Sequence, residues 1–86
     1  MDKLEWDDLT EALIGLIDTW ENKRKKNKRM RMVVQLEYSK IEVFFLDQNN
    51  DEILKSFKFL RTQTEDEALS TYDKVYNFIK NSHKNE

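Results

Sequence analysis

The chain has 86 residues, a net charge of only −2 and no cysteine, which excludes disulfides, thiolate metal sites and a thiol nucleophile. That length predicts a single domain over residues 1–86 whose stability comes from packing alone. Charged residues make up 37% of the sequence and aromatic residues 12%, a balance that argues for a real core rather than disorder.

Residues 4–22 carry Trp6, Leu9, Leu13, Leu16, Ile17 and Trp20 at steps of three and four, the spacing of an amphipathic helix, with Ala12 and Ile14 widening the stripe. Asp7, Asp8 and Glu11 crowd its N-terminal half, where the helix dipole favours negative charge. Gly15 lies inside the pattern at a cost of about 1 kcal/mol relative to alanine. It is read as incidental rather than as a point of close approach.

Residues 30–38 alternate. Met30, Met32, Val34, Leu36 and Tyr38 point one way, Arg31, Val33, Gln35 and Glu37 the other, which predicts a strand with one apolar face. Ser39-Lys40 turns the chain. Residues 41–47 form a second strand, with Ile41, Val43 and Phe45 on one side and Glu42, Phe44 and Leu46 on the other; apolar groups on both sides suit a central strand. Asp47-Gln48-Asn49-Asn50-Asp51 is rich in residues that tolerate positive φ and bond their own backbone, as a hairpin turn requires. Residues 52–60 make a third strand, with Ile53, Phe57 and Phe59 on one face and Leu54, Ser56, Lys58 and Leu60 on the other. Thr64-Glu65-Asp66-Glu67 has the capping-box spacing and opens a second helix to about residue 81, with Ala68, Leu69, Tyr72, Val75, Tyr76 and Ile79 as its apolar stripe.

Short turns between the strands predict an antiparallel meander. The expected fold is therefore α+β, a two-layer sandwich of order helix, three-stranded antiparallel sheet, helix (αβββα). Both helices should cover the face built from Met32, Val34, Leu36, Val43, Phe45, Ile53, Phe57 and Phe59. The order helix–three strands–helix resembles that of double-stranded RNA-binding domains. In that family the start of the second helix carries basic residues that grip phosphates; here it is Thr64-Glu65-Asp66-Glu67, which would repel them. In size and organisation the chain is also similar to small regulators and inhibitors encoded by phages and plasmids.

Residues that could carry chemistry are scarce. The one histidine, His83, sits near the C-terminus, away from any cluster of metal-ligating residues. Carboxylates cluster in first helical turns or around the Asp47–Asp51 turn, where capping explains them, and that turn lacks a calcium-loop glycine. With one glycine, a glycine-rich phosphate loop cannot form. No catalytic residue, metal or cofactor is expected, and the chain is read as a non-enzymatic interaction module of the regulator or inhibitor kind. No apolar run is long enough to span a membrane, and the acidic N-terminal residues are unlike a signal peptide. Together with the lack of cysteine this predicts a cytoplasmic protein with no membrane partner.

Charge and stray apolar groups mark three candidate surfaces. The outer sheet face, opposite the helices, collects Val33, Phe44, Leu46, Leu54 and Leu60, an apolar set of the kind that marks a protein interface or a homodimer. A basic run, Lys23, Arg24, Lys25, Lys26, Lys28, Arg29 and Arg31, places seven cations in nine residues and could neutralise DNA or RNA phosphates. As a plain structural feature it would complement a helix C-terminus and guard a sheet edge. The acidic first helix is a third surface, best explained as an ordinary polar helix face.

Overall fold

Two helices lie side by side on one face of a three-stranded sheet, and the other face is left bare. The structure, a computed structural model, describes residues 3–23 and 29–82, with side chains from Trp6 to Asn22 and from Arg29 onward. The elements run α1 (Lys3–Lys23), β1 (Met30–Leu36), β2 (Lys40–Asp47), β3 (Ile53–Leu60) and α2 (Glu65–Ser82). The sheet is an antiparallel meander in the order β1-β2-β3, so the expected α+β arrangement is the one found.

The termini of the elements follow local chemistry. At the start of α2 the Thr64 hydroxyl accepts from the Glu67 amide at 3.2 Å, while Glu67 Oε1 accepts from the Thr64 amide at 3.3 Å. This reciprocal capping box satisfies two backbone donors that the helix itself leaves open. Between β2 and β3, Asp47 Oδ1 accepts from the amides of Asn49 and Asn50, and the Asn50 side chain accepts from the Glu52 amide. Asp51 closes the turn at φ 58°, a left-handed conformation that Asp tolerates better than most side chains.

The core is built from the helix-facing side chains of the sheet. Ile41, Val43 and Phe45 of β2 are fully buried, as are Phe59 of β3, Leu13 and Trp20 of α1, and Val75 of α2. α1 lies against β1, α2 against β3, and the helices touch each other. Phe45 stands where all of these meet. Its ring centroid is 5.2 Å from Trp20 of α1, 4.5 Å from Phe78 of α2 and 6.2 Å from Phe57 of β3, in edge-on or tilted geometries that aromatic quadrupoles favour.

The two helices run parallel. Their N-terminal halves adjoin, with Leu9 and Ala12 beside Ala68 and Tyr72, and their C-terminal halves meet over Phe45. Arg61 pins the N-terminal end. Its guanidinium lies 5.4 Å from the Trp6 ring and 4.5 Å from the Tyr38 ring, and it donates to the Tyr38 carbonyl at 3.0 Å. One cation thus ties α1, the β1–β2 turn and the end of β3 together by stacking and hydrogen bonding.

Several positions expected under the helices are not. Leu36, at the end of β1, is 51% exposed although its cross-strand partner Ile41 is fully buried, so the edge strand is uncovered there while the central strand is not; Tyr38, in the turn beyond, is 83% exposed. Ile53 is exposed because the β2–β3 register shifts between Phe45 and Leu46: Phe45 pairs with Lys55 but Leu46 with Ile53, leaving Leu54 unpaired. This bulge turns Ile53 from the helix side toward the outer face. Ile14 of α1 and Leu69 and Tyr76 of α2 are also exposed, and Ala12 is not buried, so the buried stripes are narrower than the expected ones.

Two stability measurements follow from this packing. A Cβ built on Gly15 meets nothing within 4 Å, so Gly15→Ala should stabilise the chain by about 0.5–1 kcal/mol in urea denaturation, through helix propensity alone. Phe45→Ala should cost about 3–5 kcal/mol, a large share of the roughly 5–15 kcal/mol that holds a folded chain together, and should lower the midpoint of urea denaturation followed by circular dichroism to match.

Candidate functional site

The bare face of the sheet is the candidate site, and it is assembled by register. Arg31, Leu46 and Ile53 form one cross-strand row, Val33, Phe44 and Ser56 the next, Gln35, Glu42 and Lys58 the third, with Lys40 opposite Leu60 at the end. Strand alternation puts all of these side chains except Ile53 opposite the buried Met32, Val43, Phe45 and Phe59, and the bulge in β3 brings Ile53 to the same face. All five residues expected at a protein contact, Val33, Phe44, Leu46, Leu54 and Leu60, are at least partly exposed. Leu54 is 48% and Leu60 40% exposed, while Val33, Phe44 and Leu46 are half-buried by their strand neighbours.

The face is divided along the strands. The half nearest the Asp47–Asp51 turn is apolar: Val33 and Phe44 are direct cross-strand partners, and Leu46, Ile53 and Leu54 continue the patch. Ile53 is the residue that alternation missed, and the adjacent Ile53-Leu54 pair, which breaks the period of two, is the only trace of the bulge in the sequence. The other half is charged. Lys40 Nζ lies 2.9 Å from Glu42 and 3.6 Å from Glu37, and Gln35 donates to Glu37 at 3.4 Å. Leu60 sits apart from the main patch, in this polar half.

The hydrogen bond from Lys40 holds the Glu42 carboxyl below the ordinary glutamate range, helped by the positive charge of Lys58 and opposed by partial burial. Hydrogen bonding to Glu42 and the charges of Glu37 and Glu42 raise Lys40. Both shifts say that this half of the face is internally paired.

The basic run is divided by the structure. The side chain of Lys23, and Arg24, Lys25, Lys26 and Lys28, lie outside the described residues. Arg29 is exposed, and its carbonyl accepts from the Gln48 amide at 2.7 Å. Arg31 is in the apolar half of the outer face, opposite Leu46, with its guanidinium 2.6 Å from Asp51. An ion pair this exposed contributes little to stability. Its effect is positional: it sets a cation and an anion on the rim of the apolar patch.

Among the described residues no polar or charged side chain is buried, and no three His, Cys, Asp or Glu side chains gather where they could hold a metal ion. Nor is any helix among them long and apolar enough to cross a membrane. Thr64, Glu65, Asp66 and Glu67 at the start of α2 are exposed and acidic, with Thr64 and Glu67 engaged in the helix cap.

In an NMR titration Glu42 should lose its charge below the ordinary glutamate range, and Lys40→Met should move it back toward that range. Because the folded-state value is depressed, the stability this carboxylate contributes is present above the unfolded glutamate range and is lost as pH falls through the folded value. Equal titration of Glu42 in both proteins would contradict the pairing.

No protein-family model, no curated protein and no solved structure matches the chain.

Proposed function

We propose that this protein is a non-enzymatic protein–protein interaction module, of the regulator or inhibitor kind, that binds its partner through the outer sheet face. The observation that carries this reading is the uncovered apolar half of that face, where Val33, Phe44, Leu46, Ile53 and Leu54 lie together with a charged rim. An antiparallel sheet with one wet face is ordinarily polar on that face. A contiguous apolar patch rimmed by ion pairs has the anatomy of an interface, with an apolar centre and a polar border. Phe44 is at the middle of the patch on the central strand and is the natural anchor, since aromatic side chains dominate contact energies. The partner is another protein or a second copy of the chain.

A second reading is nucleic-acid binding through Lys23, Arg24, Lys25, Lys26, Lys28, Arg29 and Arg31. It is favoured by the density of cations in that segment and by the exposure of Arg29. The pairing of Arg31 with Asp51 and the acidic first turn of α2 weigh against it. Affinity for generic DNA and RNA at two salt concentrations tests it. A steep loss of binding with salt is expected on this reading, and no binding at low salt removes it.

For the leading reading, wild type and Phe44→Asp are compared by affinity recovery of partners from the protein's own host and by light scattering. Phe44 is half-buried on a face that neither helix covers, so the circular dichroism spectrum of the variant is recorded alongside to separate loss of contact from loss of fold. The affinity for the partner, or for a second copy, should fall by about thirtyfold or more if Phe44 anchors the contact, and recovery or dimer mass with it. Undiminished recovery and an unchanged mass would overturn the outer-face interface.

A further inference from the structure

The opposite side of the molecule carries a second unpartnered feature, independent of the outer sheet face. Where the N-terminal halves of α1 and α2 lie side by side they leave an open trough of about 230 Å³. Leu9 and Ala12 form one wall, and Ala68, Leu69 and Tyr72 the other. Tyr76 continues the α2 wall, so Leu69, Tyr72 and Tyr76 make an apolar stripe at positions i, i+3 and i+7, about 10 Å long at the helical rise. Leu69 is 55% and Tyr76 46% exposed. The expected stripe of α2 was thus wider than the core needs, and the excess forms this wall.

The borders of the trough are acidic. Asp8 and Glu65 line its mouth, and Asp73, exposed, sits one turn beyond Leu69 on the same side of α2. The charge of Asp73 reaches Tyr72: burial chiefly, and then the neighbouring Tyr76 and Asp73, raise that phenol above its ordinary value.

We propose that this trough docks an amphipathic helix from a partner protein, its apolar stripe against Leu69, Tyr72 and Tyr76 and its flanks rich in Lys or Arg. Charge complementarity selects the occupant. Carboxylates on the rim favour cations beside an apolar stripe and disfavour acids. A second copy seated by two-fold symmetry would set this acidic border against an identical acidic border, like charge facing like charge. A small molecule fits poorly, because the trough is open and smaller than the roughly 300–1,000 Å³ of typical ligand pockets. The walls are helices whose backbone groups are already bonded, so no edge is offered to a strand. A groove between two helices accepts the ridge of a third, and the small side chain of Ala12 lets it approach closely.

The test is a titration, followed by NMR, of the full chain with three synthetic helical peptides. One carries a leucine stripe flanked by lysines, one the same stripe flanked by glutamates, and one the same lysines with serine in place of leucine. The Leu/Lys peptide should bind and shift the amides of Ala12, Leu69, Tyr72 and Tyr76, with affinity falling at higher salt; the other two should bind at least about tenfold more weakly, a loss of a single anchor or of charge pairing. Leu69→Glu, an exposed position that leaves the fold intact, should weaken the Leu/Lys peptide by about tenfold or more, and Phe44→Asp should leave it unchanged. Failure of the Leu/Lys peptide to bind overturns the proposal. So do equal binding of the Leu/Glu or Ser/Lys peptide, indifference to Leu69→Glu, and perturbation on the outer sheet face in place of the trough. Broadening of the trough resonances on concentrating the chain alone would assign the surface to self-association and overturn it too.

Discussion

The ring of Phe45 is the contact on which the rest of the structure depends. A three-stranded sheet has only one strand with neighbours on both sides, and Phe45 stands on that strand, at the place where α1 and α2 come together. Trp20 reaches it from one helix, Phe78 from the other and Phe57 from the adjacent strand. In a chain of 86 residues without disulfides, this aromatic cluster supplies much of what a small core can bury. It also fixes which side of the sheet is covered. Strand alternation then leaves Phe44, the next residue along, facing solvent on the side that neither helix reaches.

The identity and order of every element were legible in the sequence, because each is announced by a local rule. The capping box at Thr64–Glu67, the Asx-rich turn at Asp47–Asp51 and the alternation through β1 and β2 are short-range signals, and the structure realises each of them. The five outer-face residues followed from alternation as well. What could not be read was how far each apolar stripe is used. Periodicity locates the centre of a helical stripe, but its buried width is decided by how two helices share a narrow sheet. Leu69, Tyr76 and Ile14 therefore belong to the apolar pattern and yet lie in solvent. Ile53 escaped for a different reason, since a bulge changes the face of every residue beyond it and only register reveals it.

Two apolar surfaces on opposite sides of a thin sandwich suggest a division of labour. The outer sheet face is flat, half apolar, and rimmed by charges that pair among themselves, as Lys40 does with Glu42 and Arg31 with Asp51. The helical side is furrowed, and its acids, Asp8, Glu65 and Asp73, remain unaccompanied by any ion pair found among the described residues. On the proposals made above, a chain built this way holds one partner by shape and apolar contact and another by shape and charge. Both surfaces rest on the same core.

The claim that orders all of this is that the helices cover one face of the sheet and leave the other in water. Solvent paramagnetic relaxation, measured by NMR with a soluble neutral probe at a concentration where light scattering reports a monomer, tests it directly. The Val33, Phe44 and Leu46 side chains should broaden strongly, while Phe45, Val43 and Trp20 stay protected. Protection of Phe44 equal to that of Phe45 would contradict it.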